Sequence, residues 1–479
     1  MRIFPFYYLK HTALALIGVV VAVPLVFAGD DHWAEDYYQR HLERQAAKMQ
    51  TPGEEYSFDP EDEIDELRME IAKLRSTVEK KQDKPLESKK FVNKLGGIFI
   101  VDSLAVNQSG ENKAFYGDVN NDLALREARF QLKGTGYDVL SYECSVAVSA
   151  INNAKTGLVY KNIMVGVKDV PIFQKVKVGH FKVETCMSER DLLINSPGIS
   201  YFSGNTMSFS PHRRLGIGST MHFADQNIRW YNGVYASKAL TDEPALVTDN
   251  PGVILDTRLT ATPIYRENED GYLEEVLHIG GSSYWLVASG EQTVKLRARP
   301  TVWTGSMPYL LTGVVPIENS FNVSEGEIAY QRGRFGFVSE NFVGSYGDCG
   351  TAWASTLIGR CFLTKGNFRH YSKEGGGFAG AHLVNNIGKS KENKGPLPDN
   401  WGDLELVVMY AHTNMDNLKN VEGSTYGTFD EGVLGVNWWW TPDLRWSTTW
   451  THGLTKATKG EKHTDSEYDT LGLQMSVQY

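Results

Sequence analysis

Two periods of apolar residues divide this chain. Between residues 61 and 84, Ile64, Leu67, Ile71, Leu74 and Val78 recur at alternating three- and four-residue spacing. That spacing predicts an amphipathic helix with a coiled-coil seam. Glu63 with Arg68, and Glu70 with Arg75, fall five apart, where charges pair between parallel helices. The seam covers about two and a half heptads, and a lone helix of that length is marginal. Ile and Leu at its two seam positions nominally favour two strands. Lys84-Pro85 ends it.

From residue 91 to 479 the period is two. Ala128, Phe130 and Leu132 alternate with Glu127, Arg129, Gln131 and Lys133. Tyr142, Cys144, Val146 and Val148 alternate with Glu143, Ser145, Ala147 and Ser149. Val294, Leu296 and Ala298 alternate with Lys295, Arg297 and Arg299, and Leu404, Leu406, Val408 and Tyr410 share a face. At the end of the chain, Leu471, Leu473, Met475, Val477 and Tyr479 alternate with Gly472, Gln474, Ser476 and Gln478. One apolar and one polar face per strand fits a membrane barrel, with lipid outside and water inside. A soluble sandwich alternates too, with its apolar face inward. Aromatics near strand ends (Trp438, Trp440, Trp446, Trp450 and Tyr479) favour the membrane, because flat amphipathic rings settle at the headgroup boundary. A closing alternating strand that stops on an aromatic is typical of bacterial outer-membrane barrels.

The start of the chain predicts export. Arg2, Lys10 and His11 precede an apolar run over 12–28 that ends in Val26-Phe27-Ala28, so residues 1–28 read as a signal peptide. Residues 29–60, acidic and with Pro52-Gly53 and Pro60, read as a linker before the coiled coil of 61–84. No later stretch approaches the roughly 20 apolar residues of a membrane helix. The 46 Gly, 23 Tyr, 21 Phe and 11 Trp suit many short strands joined by turns. A net charge of −10 argues against nucleic acid as a partner. Residues 1–90 carry −4 of it, 13 Lys and Arg against 17 Asp and Glu, but only charges facing a lumen bear on a pore.

The cysteines are Cys144, Cys186, Cys349 and Cys361. Export permits disulfides, and Cys349 with Cys361 is the closest pair. None shows the C-x-x-C spacing of a zinc site. Cys144 shares parity with Tyr142, Val146 and Val148, so it is expected to face lipid unbonded. Tyr346-Gly347-Asp348-Cys349-Gly350 superficially resembles a cysteine-protease nucleophile turn, but its ordinary reading is a Gly-rich turn between strands. The 12 histidines are scattered without a metal-ligand pattern. No enzyme and no cofactor are expected.

Four stretches in order resemble the phosphate-selective porin O and P family. They are ALREARFQLKG (124–134), VKVGHFKVE (176–184), FLTKGNFRHYSKEGGGF (362–378) and VLGVNWWWTPDLRW (433–446), followed by the terminal strand. The resemblance spans roughly residues 91–479. It implies an all-β fold: a transmembrane antiparallel β-barrel of about 16 strands, here preceded by the short α-helical coiled coil. It implies a homotrimer in outer-membrane lipid, an inward constriction loop over 185–213, and lumen cations that pass anions. A trimer gives the coiled coil a purpose, as a stalk in the periplasm. The chain departs from the family pattern at Lys365-Gly366, in place of Gly-Glu, and at Met409, where an inward arginine is common. Its constriction segment, Met187-Ser188-Glu189-Arg190-Asp191, is slightly acidic.

Selectivity in a pore comes from lumen charge and width. Strand parity gives a pore-lining basic set of Arg129, Lys133, Lys175, Lys177, Lys295, Arg297, Arg299 and Arg445, with Glu189, Arg190, Asp191 and Arg213 at the constriction loop. Their functional reading is a relay for small anions or solutes. Their structural reading is a set of lumen cations neutralised by Glu127, Glu143, Glu340 and Glu405. A different class of function is a plugged barrel that tethers the outer membrane to the cell wall through its N-terminal segment.

Overall fold

The alternating stretches become long antiparallel strands. The computed structural model describes residues 91–149, 157–190, 195–196, 209–238, 247–248, 252–288, 290, 292–302, 304, 308, 310–317, 320–387, 398, 400–419 and 421–479. The signal peptide, acidic linker and coiled coil read from the sequence all lie outside the described residues.

The strands are β1 (Val92–Gln108), β2 (Asp122–Gly136), β3 (Leu140–Ser149), β4 (Gly157–Val170), β5 (Gln174–Lys182), β6 (Arg213–Phe223), β7 (Ile228–Ala236), β8 (Val247–Thr248), β9 (Gly252–Glu267), β10 (Leu273–Ala288) and β11 (Gln292–Ala298). They continue as β12 (Leu311–Ile317), β13 (Ser320–Arg332), β14 (Phe335–Ser345), β15 (Thr351–Phe362), β16 (Phe368–Ser372), β17 (Gly377–His382), β18 (Asp403–Asn414), β19 (Tyr426–Thr441), β20 (Leu444–Lys459) and β21 (Lys462–Gln478). Among the described residues two short helices interrupt them, α1 (Gly110–Tyr116) and α2 (Met187–Arg190). All strands except β8, β11, β12, β16 and β17 join in one closed barrel of 16. β1 pairs with β21 to close it, the Gly97 N–H donating to the Tyr479 carbonyl at 2.9 Å and the Tyr479 N–H returning the bond at 3.1 Å. The Tyr479 ring lies over Gly97, where an added Cβ would sit 2.5 Å from it.

Burial separates the two readings of the alternation. Phe130, Leu132, Val165, Ile217, Leu259, Val408, Leu434 and Leu473 are exposed. Glu127, Arg129, Glu340, Glu405, Glu431, Arg445, Thr449 and Ser476, on the opposite faces, are buried. A soluble sandwich hides its apolar face. Here the apolar face is outside, where hydrocarbon would be its solvent. The exposed Trp446 and Trp450 contribute to the outer aromatics, whereas Trp439 is buried inside.

Because neighbours run antiparallel, the start of β1 and the end of β21 share one end, here the terminal end. Its turns are short, as in 137–139, where Tyr137 (φ 54°) and Asp138 (φ 58°) supply the left-handed pair of a tight hairpin. The exception is 363–402, which carries the β16–β17 hairpin. The long loops 183–212, 237–251 and 289–319 lie at the far end.

One sequence expectation is corrected. Residues 294–299 form no barrel strand: β11 lies in a separate three-stranded sheet, β12–β11–β8. Val294, Leu296 and Ala298 are fully buried in the main apolar cluster, against inward residues such as Tyr284, Phe321 and Phe342, and do not meet lipid. Export left a Cys349–Cys361 disulfide open, and all four cysteines are free. Cys349 lies in the turn before β15 and Cys361 near its other end. Twelve residues of strand separate them by roughly 40 Å, far beyond the reach of a disulfide of about 7 Å between Cα atoms.

Cys144 is exposed on the outer face, between Leu132 and Ile163 in the ladder. A mass-spectrometric disulfide map is expected to find it unlinked. A bond from Cys144 to any other cysteine would be incompatible with this register.

Candidate functional site: the narrowed lumen

The loop between β5 and β6 turns inward because its apolar residues have nowhere else to go. Val183, Cys186 and Phe209 are buried in the main apolar cluster together with Phe181 at the end of β5. The Ser282 hydroxyl donates to the Thr185 carbonyl at 2.5 Å, and the Tyr284 hydroxyl to the Phe209 carbonyl at 2.7 Å. At α2, Met187 seats on an inward apolar patch of Ala329, Val338, Ile358, Val407, Met409 and Val433. Its N–H donates to Glu327 Oε2 at 2.6 Å, and the Ser188 N–H donates to Glu340 Oε1 at 2.7 Å. Arg445 donates to the Ser196 carbonyl at 2.7 Å. The loop therefore reaches from β5 and β6 across to the wall strands β10, β13, β14 and β20. Met409, which departs from the family pattern, is part of the seat that receives it.

The β16–β17 hairpin enters from the terminal end. Arg369 makes a forked bond to Glu405, its Nη2 2.8 Å from Oε2 and its Nε 3.2 Å from Oε1. Gln331 Nε2 donates to the Arg369 carbonyl at 2.6 Å, and Arg258 Nη2 to the Gly376 carbonyl at 2.8 Å. Glu374 at the hairpin turn pairs with Lys175 at 2.8 Å. Phe378 packs against the cluster that holds Met187. Loop and hairpin thus narrow the lumen from opposite ends.

Charge is uneven along this passage. Glu184, just past β5, receives Lys177 Nζ at 2.8 Å, Arg229 Nη2 at 2.5 Å and the Arg190 guanidinium. Burial alone would raise the Glu184 carboxyl, but Arg190, Arg229 and Lys177 hold it well below the usual carboxylate range. Three cations on one carboxylate leave two positive charges in excess. Lys177 also lies over the Phe181 ring, 4.4 Å from its centroid, a contact that favours a cation. Along the neighbouring wall, Arg129 Nη2 pairs with Glu127 at 2.5 Å and Lys161 with the same carboxylate at 3.4 Å. Arg126 pairs with Asp102.

The structure distributes the expected site residues unevenly. Arg129, Lys175, Lys177 and Arg445 project from the inner face, Arg445 fully buried beneath the loop. Lys133 is exposed beside the terminal-end turn. Lys295 and Arg297, both half-buried, and the buried Arg299 belong to the inner sheet and its flank, not to the barrel wall. Glu189 is buried with His212 at 3.0 Å, Arg190 joins Glu184, and Arg213 donates to Asn162 Oδ1 at 2.9 Å. Asp191 lies outside the described residues. The 346–350 stretch is a single turn between β14 and β15.

The sequence reading passed over Arg126, Lys161, Arg229, Arg258 and Arg369. Arg229, between Ile228 and Trp230, satisfies the same alternation rule and could have been found. Arg126 could not. A bulge in β2, where Ile100 pairs with Glu127 but Val101 with Leu125, adds a residue and buries Arg126 and Glu127 together.

The profile of the family described as "Phosphate-selective porin O and P" matches residues 107–479. The chain belongs to that family of outer-membrane porins. It is a passive diffusion channel in outer-membrane lipid, with the family's closed antiparallel barrel. Among solved structures, an anion-selective porin from Comamonas acidovorans is 11% identical, covers 81% of this chain and 100% of that one, and gives a TM-score of 0.48. OmpT from Vibrio cholerae, in a trimer form, is 11% identical over 82% of this chain and 100% of that one, at 0.46. OprB from Pseudomonas putida is 8% identical over 81% and 94%, at 0.46. No curated protein sequence matches. The family match, not these distant likenesses, carries the assignment.

Proposed function

We propose that this porin passes small anions in preference to cations, and that it works as a homotrimer with its terminal end and N-terminal stalk in the periplasm. The observation that carries the preference is the set of three cations around Glu184 at the constriction. Arg129 and Lys161, two cations on the single Glu127 carboxylate, extend the positive charge along the neighbouring wall. Lys295 and Arg297 of the inner sheet add attraction on the far-end side. Rim and stalk charges are screened within about 10 Å at moderate salt, so local sign outweighs the net −10. A permeating anion exchanges part of its water for successive lysine and arginine donors, and no chemistry is required.

Reversal potential across a planar bilayer in a potassium chloride gradient tests the preference. A potential of the chloride sign is expected, with phosphate entering the same path and reducing chloride current. A cation-selective wild type would overturn the proposal. A barrel that gives no conductance steps at all would instead favour a sealed tether between membrane and cell wall.

The trimer is expected to be held by the barrels as well as by the stalk, because the coiled coil is short. Deleting residues 61–84 should leave trimers in mild detergent, as read by light scattering. Only monomers after the deletion would refute this.

A further inference from the structure

The wall behind the constriction loop gathers three buried carboxylates. Glu325 and Glu327 project inward from β13 and Glu340 from β14. All three are buried, and one carboxylate oxygen of each lies within 4.8 Å of the others. Two of the three are engaged. Glu327 Oε1 accepts from Arg258 Nε at 3.0 Å and lies 3.0 Å from His278 Nε2, while its Oε2 takes the Met187 N–H. Glu340 takes the Ser188 N–H and hydroxyl. Glu325 differs. It is 7% exposed, and neither of its carboxylate oxygens has a hydrogen-bond partner.

A buried carboxylate with no donor is costly unless something neutralises it. Arg258 supplies one positive charge. That guanidinium bonds Glu327, not Glu325, so Glu325 keeps no hydrogen-bond partner beside the other two carboxylates.

We propose that Glu325, Glu327 and Glu340 bind one divalent cation, calcium in preference to magnesium. The donors are all carboxylate oxygens, the class that hard cations choose. Glu327 and Glu340 are already turned toward the protein, so the shell they can offer is irregular. Calcium accepts such a shell, whereas magnesium demands a near-ideal octahedron. Both residues also grip the backbone of α2, so the ion would fasten the constriction loop to the wall. It would also cancel the negative charge behind the loop and leave the cations around Glu184 to set its sign. The inference is independent of which ion the pore passes.

The test uses full-length, detergent-purified protein stripped with a chelator and dialysed at neutral pH. Wild type is expected to take up one calcium ion per chain at about 1 mM free calcium or below, and to melt at a lower temperature when stripped. Glu325→Gln, checked as folded by strand circular dichroism and by its heat-shifted gel mobility, is expected to lose the uptake and the chelator effect. Folded wild type that takes up no calcium would overturn the proposal. So would uptake that survives in Glu325→Gln. So would stripped wild type that calcium leaves unchanged but that is restored on lowering the pH from 8 to 5, which would make the occupant a proton.

Discussion

Replacing Glu405 by alanine should unlatch the hairpin that narrows the lumen from the terminal end. Glu405 is fully buried and accepts from three other side chains: Arg369, Asn437 Nδ2 at 3.0 Å and Trp439 Nε1 at 3.0 Å. Arg369 in turn stacks over Trp439, 4.7 Å from a ring centroid. Removing the carboxylate strands a buried guanidinium close to two others, Arg360 and Arg445. Breaking a buried pair by deleting one partner costs about 3–5 kcal/mol. The hairpin is the element free to respond, because the barrel ladders do not depend on it. The expected result is a closed barrel whose 363–402 segment is cut by protease at least tenfold faster, with a larger single-channel conductance. Wild-type protease resistance and conductance in Glu405→Ala would show that other contacts hold the hairpin.

Changing Lys177 and Arg190 together to glutamine should bring the pore close to unselective. The substitutions take the group around Glu184 from two excess positive charges to none, because Arg229 stays paired with the carboxylate. Both side chains are partly exposed, 17% and 25%, so the loss of fold stability should be small. A unit charge about 6 Å from a permeating ion in water is worth about 0.7 kcal/mol, or about threefold in local concentration. Two such charges give on the order of tenfold. Because the same charges enrich chloride and deplete potassium, the chloride-to-potassium permeability ratio should fall by up to on the order of a hundredfold at low salt, while Lys133→Gln at the exposed terminal-end turn should leave it unchanged. A ratio indifferent to the double change would place the selecting charges elsewhere.

The strands were legible because alternation is a local property: each residue's face follows from its neighbours in the chain. Ala128, Phe130 and Leu132 announced an outward face, and Arg129 an inward one, without knowledge of any partner strand. Cys144 was placed by the same parity. The short polar turns and the closing strand were legible for the same reason.

What tertiary structure alone decided is what each face meets and what neutralises each charge. The alternation of Val294, Leu296 and Ala298 is the same whether that face touches lipid or packs inside. Only the chain path, which folds β11 into the lumen, separates the two. The β2 bulge is a two-strand property, so one strand's sequence could not reveal that Arg126 and Glu127 both turn inward. Lys177, Arg190 and Arg229 surround Glu184 because barrel closure brings β5, β7 and the constriction loop together. The sequence by itself determined a membrane barrel with a polar interior. The sign and position of its charged constriction came from through-space pairing between residues far apart in the chain, because a Coulomb interaction follows distance in space and local dielectric, not separation along the chain.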